Sequence, residues 1–482
     1  GVFSSIPARY MMACMCLIGI TLQYAIKAFL SVAIVAMVKT DINASVPQYS
    51  YDEDTCPGEE VSSSESEEGE FDWSDMQGVI LSSYYYGYIA TQLLAGRLSE
   101  IFGSKRVLGP GLFISGLMTV LGPVAARTHV GFLIATRIIV GAASGLVIPA
   151  VNNLLPKWFV PQEISFIGGT IMAGIPVGII ISMILSGVLA DAGGWPLVFY
   201  FFGGLTIIFM IPWLCLAFDC PEEHPTISEV EKDYILTGTG LGNKEYNNET
   251  KKSHPVPWFE ILTSWPIWVH NIMGMGYAWV SFTLLNELPT YLSQILHYKI
   301  QENGLISSLP YVSSGIGVVV SSYLSQMLRR KGYISHLTAY WIFNSISGFG
   351  SGLCLLIITF SGCDKTVIVI LLVCALGTAA FYQGGSFLNH VDLGRNYTGT
   401  IAGIYLTVYN AMGVIAPLII DMIVDKPTLS RWKIVFYVGA AVPVACTILY
   451  LLFGTIQEQC WNKLCCETEQ SKPESNKQAG AI

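Results

Sequence analysis

Twelve apolar runs, each roughly 20 to 30 residues long, follow one another along this chain with polar connections between them. They fall at about 10–38, 76–97, 107–126, 131–155, 163–190, 195–218, 264–293, 303–328, 336–360, 365–388, 397–423 and 431–455. A helix needs about 20 mostly apolar residues to cross a hydrocarbon core of about 30 Å. The pattern therefore predicts an all-α membrane protein with twelve transmembrane helices. The longest polar connection covers about 219–263 and separates runs six and seven. The chain is thus expected to divide into a six-helix half at 1–218, a cytoplasmic linker at 219–263, a second six-helix half at 264–455 and a disordered cytoplasmic tail at 456–482. Such symmetry is typical of transporters whose site lies between two halves near the midplane.

Composition strengthens the membrane reading. Only 12% of residues are charged, against 52% hydrophobic, whereas a soluble domain carries roughly 25% charged residues. The net charge of −9 reflects one segment, since residues 52–75 hold eleven acidic side chains and no basic one. No basic stripe points to nucleic acid. Lysine and arginine set the orientation: with the N-terminus inside, sixteen fall on the cytoplasmic side and seven outside. Both termini are then cytoplasmic, and the acidic loop 39–75 faces out, with a glycosylation sequon at Asn43. Of the twelve cysteines, most lie in apolar runs, and no spacing suggests zinc or another metal. Cys56 and Cys363 share the outer face, which leaves a disulfide between them open. Pro149, Pro176, Pro212, Pro310 and Pro417 are expected to interrupt helices, and Gly384-Gly385 to permit a bend.

Short motifs narrow the class. The turn after run two reads Gly96-Arg97-Leu98-Ser99-Glu100-Ile101-Phe102-Gly103-Ser104-Lys105-Arg106. It resembles the loop signature of the major facilitator superfamily, with Glu100 at the usual aspartate position and Lys105-Arg106 as the basic pair. Within that superfamily, Tyr24 to Val35 resembles the first span of the anion:cation symporter family. Tyr86 to Gln92 resembles its second span, Leu284 to Tyr291 the end of its seventh, and Asn389-His390-Val391-Asp392-Leu393 its loop after span ten. These matches run in order over nearly the whole chain. The family includes sodium/phosphate cotransporters, sialin and vesicular glutamate transporters, so the resemblance implies an anion as substrate and leaves its identity open.

Charges inside spans are costly and normally face a cavity or a partner. Arg137, in run four, offers a planar fork that suits carboxylate or phosphate, and the resemblance implies an arginine there. Lys27 stands in the first run where the family typically has arginine, so it keeps the charge and loses the fork. With Tyr84, Asn152 and Tyr277, these two form the expected substrate site. Glu287, near the outer end of run seven, is a candidate for coupling or gating. Ser144 stands where several members carry a glutamate implicated in proton coupling, Asn152 where some carry histidine, and Tyr277 where histidine or arginine is usual. These neutral replacements favour the plasma membrane over an acidic vesicle and leave Na+ or H+ open as the coupling ion. His390 with Asp392 can be read as a proton relay, but Asn389, His390 and Asp392 are expected to be structural at the cytoplasmic loop after run ten, and Tyr85, Tyr86, Asn153, Tyr311 and Gln383 to supply neutral hydrogen-bonding groups.

The expected function is secondary active transport of a small anion, inorganic phosphate or an organic anion, by a functional monomer in the lipid bilayer with no cofactor beyond its coupling ion. An anion-selective channel and a non-transporting anion sensor are the competing readings. No nucleophile–base set, phosphate loop or metal motif suggests an enzyme.

Overall fold

The computed structural model describes residues 7–38, 56, 69–73, 76–239, 256–394 and 397–462. Asn43, the tail beyond Asn462 and the side chain of Glu100 lie outside them. The first half comprises α1 (Ala8–Met37), α2 (Gln77–Phe102), α3 (Ser104–Thr128), α4 (Val130–Ser144), α5 (Val147–Trp158), α6 (Pro161–Met172), α7 (Gly174–Gly193) and α8 (Trp195–Leu216). Two short helices follow, α9 (Glu229–Thr239) and α10 (Trp258–Thr263). The second half comprises α11 (Trp265–Gln294), α12 (Ile300–Arg330), α13 (His336–Ile358), α14 (Lys365–Ala379), the short α15 (Asn389–Leu393), α16 (Thr398–Ile423) and α17 (Leu429–Phe453).

Among the described residues, ten helical stretches have the length and hydropathy to cross a membrane, with α4–α5 and α6–α7 each counting as one. The other two long helices are α2 and α11, of 26 and 30 residues. Both carry polar groups within their length, Gln92 on α2 and His270, Asn271, Asn286 and Glu287 on α11, and all five are buried. Helix α2 packs on α4 and α16, while α11 packs on α1, α16 and α17. Their polar faces meet protein instead of lipid, which is where intramembrane polar groups are tolerated.

Two of the five expected proline interruptions occur. Pro149 and Pro176 are the third residues of α5 and α7, immediately after the breaks at Gly145–Leu146 and Ala173. A helix leaves its first N–H groups unbonded in any case, so proline costs little there. Pro212, Pro310 and Pro417 instead lie inside unbroken α8, α12 and α16, contrary to the expectation; neighbouring helices and local adjustment accommodate proline in a membrane bundle. A 3-10 turn at Ala380–Gln383 ends the α14 span just before Gly384-Gly385.

The apolar core is distributed unevenly. On the side of the 38–76 connection, here the loop face, one continuous cluster joins both halves, with Ile34, Met37, Ile80 and Leu81 packed among Leu284, Leu288, Ala416 and Ile420. Gly304 of α12 meets the backbone of Met183 and Gly187 on α7, where a side chain would force the halves apart. On the side carrying the termini, here the terminal face, each apolar cluster stays within one half among the described residues. Met12, Leu108, Val151 and Trp213 belong to the first half, and Val269, Met273, Tyr340 and Tyr450 to the second. The halves are therefore sealed together at the loop face.

That seal is reinforced covalently. Cys56 and Cys363 form a disulfide with Cα atoms 5.5 Å apart, joining the connection after α1 to the segment before α14. Near the other end of the same connection, Glu70 accepts from Arg127 at 2.9 Å and from the Trp195 indole at 3.1 Å, and Phe71 stacks on Trp73. At the terminal face, Arg9 pairs with Glu163 on α6 at 3.1 Å, and Glu231 on α9 accepts the Ala8 N–H at 3.0 Å. The segment after α8 is thereby tied to the first half.

Candidate functional site

Lys27 lies two-thirds of the way along α1 and is 7% exposed. Its ammonium lies 4.8 Å from the Tyr85 ring centroid, 5.2 Å from Tyr24 and Tyr88, 5.9 Å from Tyr84 and 4.9 Å from Phe282. The tyrosines belong to the first half and Phe282 to α11 of the second, so this aromatic cage bridges the junction. Two positions further along α1 towards the loop face, Phe29 shares its ring with Arg137, whose guanidinium is 5.5 Å from Phe29 and 5.4 Å from Tyr84.

The local sequence explains this gathering. Gly141 on α4 faces the backbone of Tyr84 and Tyr88 with no room for a side chain. Helices α2 and α4 thus approach closely, which brings Arg137 and the tyrosine ladder onto one side. Arg137 is 3% exposed; it donates to the Ile26 carbonyl at 3.4 Å and leaves its Nε without a partner. Neither cation forms an ion pair with a described carboxylate.

The energetics of this arrangement are one-sided. Taking an ion out of water costs several kcal/mol after relaxation. A desolvated cation–π contact returns about 2 kcal/mol, and one long hydrogen bond adds little. Both cations face the Tyr84 ring, and an anion bound there supplies acceptors to Lys27 and Arg137. The Tyr84 and Tyr85 hydroxyls, both buried without a well-formed hydrogen bond, are further donors.

Other expected residues are distributed as follows. Ser144 is buried below the cage; its carbonyl accepts from Gln23 at 3.0 Å and its hydroxyl meets Ser115 at 3.1 Å. It acts there as a bridge between α1, α3 and α4. Asn152 is exposed on α5, whereas Tyr277 stacks on Tyr382 at 5.2 Å within the second half. Glu287 is buried on α11 with Oε1 unpartnered. Of the neutral groups, Asn153 donates to the Ser99 carbonyl and Ser104 hydroxyl at 3.0 Å, Tyr311 donates to the Ser281 carbonyl at 3.2 Å, and Tyr86 is exposed.

Gly103 adopts φ 86°, a left-handed conformation that glycine accepts readily. The Lys105 N–H donates to Asp219 at 2.9 Å, and its ammonium donates to the Leu214 carbonyl at 3.0 Å. Arg106 is exposed. In α15, Asn389 donates to the Tyr450 hydroxyl at 3.0 Å and Asp392 accepts from Tyr340 at 2.7 Å. Sequence reasoning did not single out Phe282 or Tyr88 for the cage, because lone aromatics in apolar runs carry no signal of their own. It also missed His270 and Asn271, adjacent polar residues buried inside α11.

Comparison with known proteins decides the family. The sequence profile of the Major Facilitator Superfamily matches residues 16–417. A Drosophila melanogaster protein named "Putative inorganic phosphate cotransporter" is 35% identical over 473 residues, covering 96% of this chain and 88% of its own. Human sialin is 34% identical over 458 residues, covering 94% and 90%. The chain belongs to the anion:cation symporter family of the Major Facilitator Superfamily. Vesicular glutamate transporter 1 of Bos taurus is 30% identical over 457 residues, covering 95% of this chain and 78% of its own. Among solved structures, that of a D-xylose–proton symporter superposes with a TM-score of 0.67 at 12% identity, covering 95% of this chain and all of that one, a likeness of fold. This family member is a multi-pass integral membrane transporter with the two-half architecture of its superfamily.

Proposed function

We propose that the protein carries a small anion, inorganic phosphate or a small organic anion, by alternating access, binding it between the halves at Lys27 and Arg137. The observation that carries this reading is the pair of buried cations facing aromatic rings with no described carboxylate to balance them. The phosphate assignment draws on the name of the Drosophila relative. Arg137 supplies the planar fork, Lys27 a movable point charge, and Tyr84 and Tyr85 orient the remaining anion oxygens. Rocking of the halves about this point opens the loop face and closes the terminal face. The sealed loop face supports a carrier over a channel, because a channel needs a path continuous across both faces. Transport is coupled to Na+ or H+, with buried Glu287 as a gating or coupling carboxyl. The terminal face is cytoplasmic in this reading, and the protein acts as a monomer in the plasma membrane.

Purified protein in liposomes tests the proposal with labelled phosphate and a panel of small organic anions. Sodium gradient, pH gradient and membrane potential are imposed one at a time. Saturable, concentrative uptake under one gradient is expected. Flux at channel rates, or binding without flux, contradicts it.

A further inference from the structure

The second half contains a polar cluster that the anion site does not use. His270 lies on α11 six positions into the helix and is fully buried. Neither ring nitrogen has a hydrogen-bond partner, and the neighbouring Asn271, 1% exposed, has both amide atoms unpartnered. Leaving a buried polar atom unpaired costs about 1–3 kcal/mol, so four such atoms on adjacent residues need an explanation.

His390 provides a control within the same cluster. Its Nδ1 lies 3.1 Å from the Phe387 carbonyl. A carbonyl only accepts, so Nδ1 carries the hydrogen and Nε2 keeps a lone pair able to take up a proton. This is how a structural histidine is ordinarily held. His270 has no such anchor. The two rings are 5.7 Å apart, and His270 stacks on Tyr405 at 5.0 Å.

From His390 the ionisable groups continue outwards. His390 is 8% exposed, and Asp392 stands two positions further along α15. Asp392 accepts from Tyr340 at 2.7 Å and lies 3.5 Å from Nε2 of His336, whose side chain is 36% exposed at the terminal face. Burial pushes His390 below the ordinary histidine value, while the Phe387 carbonyl and Asp392 act in the opposite direction. His390 therefore rests neutral and can take a proton and pass it on.

We infer that His270 is a proton-binding site, filled from the terminal face through Asp392 and His390, and that it couples protons to transport. This rests on the anion-transport reading given above. One proton leaves water at the terminal face, is taken up by the Asp392 carboxylate, passes to Nε2 of His390, which frees the carboxylate, and moves to a ring nitrogen of His270, which returns His390 to neutrality. With the ring centroids 5.7 Å apart, this transfer requires a bridging water. The ionisable groups in ring contact with His270 are His390 on α15 and Tyr405 on α16, and Tyr340, Tyr382 and Tyr450 belong to the apolar cluster around Tyr405. Lys27 of α1 sits beside Phe282, twelve positions and roughly 18 Å further along α11. A protonated His270 is a buried cation without a carboxylate in contact, so protonation disfavours this arrangement of α11. Because α11 also carries Phe282 of the anion cage, its movement links the two sites.

The test uses the full chain in proteoliposomes with labelled inorganic phosphate. Accumulation driven by an imposed pH gradient is compared with counterflow at equal pH. In H270Q, gradient-driven accumulation is expected to fall at least tenfold while counterflow persists. H390Q slows the approach to the same final accumulation. If H270Q accumulates phosphate like the native protein, the inference is overturned. If H270Q shows no counterflow either, H390Q and D392N decide, and unchanged initial rates in both overturn it. Absence of phosphate counterflow in the native protein counts against the phosphate reading alone. The proton site is then read without substrate, by thermal unfolding between about pH 8 and 5. The native protein should lose stability more steeply on acidification than H270Q, and identical profiles contradict the inference.

Discussion

The two halves share an architecture and differ in the chemistry they place at the junction. The first half contributes two buried cationic side chains, Lys27 and Arg137, held among Tyr24, Tyr84, Tyr85 and Tyr88. The second contributes groups whose charge can change, with Glu287 and His270 buried on α11 and His390 behind them. An arginine cannot shed its proton in a protein and so serves as a constant receptor for an anion. A buried histidine or carboxyl changes charge with its surroundings and can report which face is open. In the proposed mechanism one half holds the cargo and the other reads the driving ion.

The sharpest way to break that division is R137Q. It removes the fork and its charge, and uptake should fall by at least roughly 100-fold, as expected for losing two charge-assisted hydrogen bonds of about 1.5–3 kcal/mol each. K27R tests the same half more finely. The fork implied by the family resemblance returns at this position, so K27R should retain more uptake than K27Q, which should lose roughly 10-fold. Equal losses in K27R and K27Q would show that position 27 acts through packing.

Next in size is the seam that joins the halves. A G304L change places a side chain against the Met183 and Gly187 backbone. It should lower stability by about 1–3 kcal/mol, read as a drop in unfolding temperature. Reducing the Cys56–Cys363 link by C363S should cost a comparable 2–5 kcal/mol at most, about what removing a native disulfide costs. That cost should appear in unfolding and leave substrate preference unchanged, since neither cysteine touches the cage. Y84F should have the smallest effect, about a several-fold rise in the half-saturating anion concentration.

Much of this was legible in the chain, for identifiable reasons. Apolar runs of membrane-crossing length announce themselves because lipid requires every backbone group to be satisfied within a helix. The two-half division followed from one long polar connection. Lys27 and Arg137 stood out because charge in an apolar run is rare. The rest depended on contacts between distant residues. Phe282 joins the cage only because α11 crosses α1, which no local pattern encodes. His270 counted as neutral in a search for charge, although His270-Asn271 is a polar pair inside run seven. Pro310 and Pro417 look like breakers in sequence, yet α12 and α16 continue through them. Pro149 and Pro176 follow breaks because each falls in the first turn of a new helix.

The central claim is that two unpaired cations in the first half hold the anion. Equilibrium binding of labelled inorganic phosphate to purified native protein, K27Q and R137Q tests it without requiring transport. The account predicts saturable binding to the native protein and affinity weakened roughly tenfold or more in each variant. Native-like affinity in both variants would contradict it and place the anion elsewhere in the bundle.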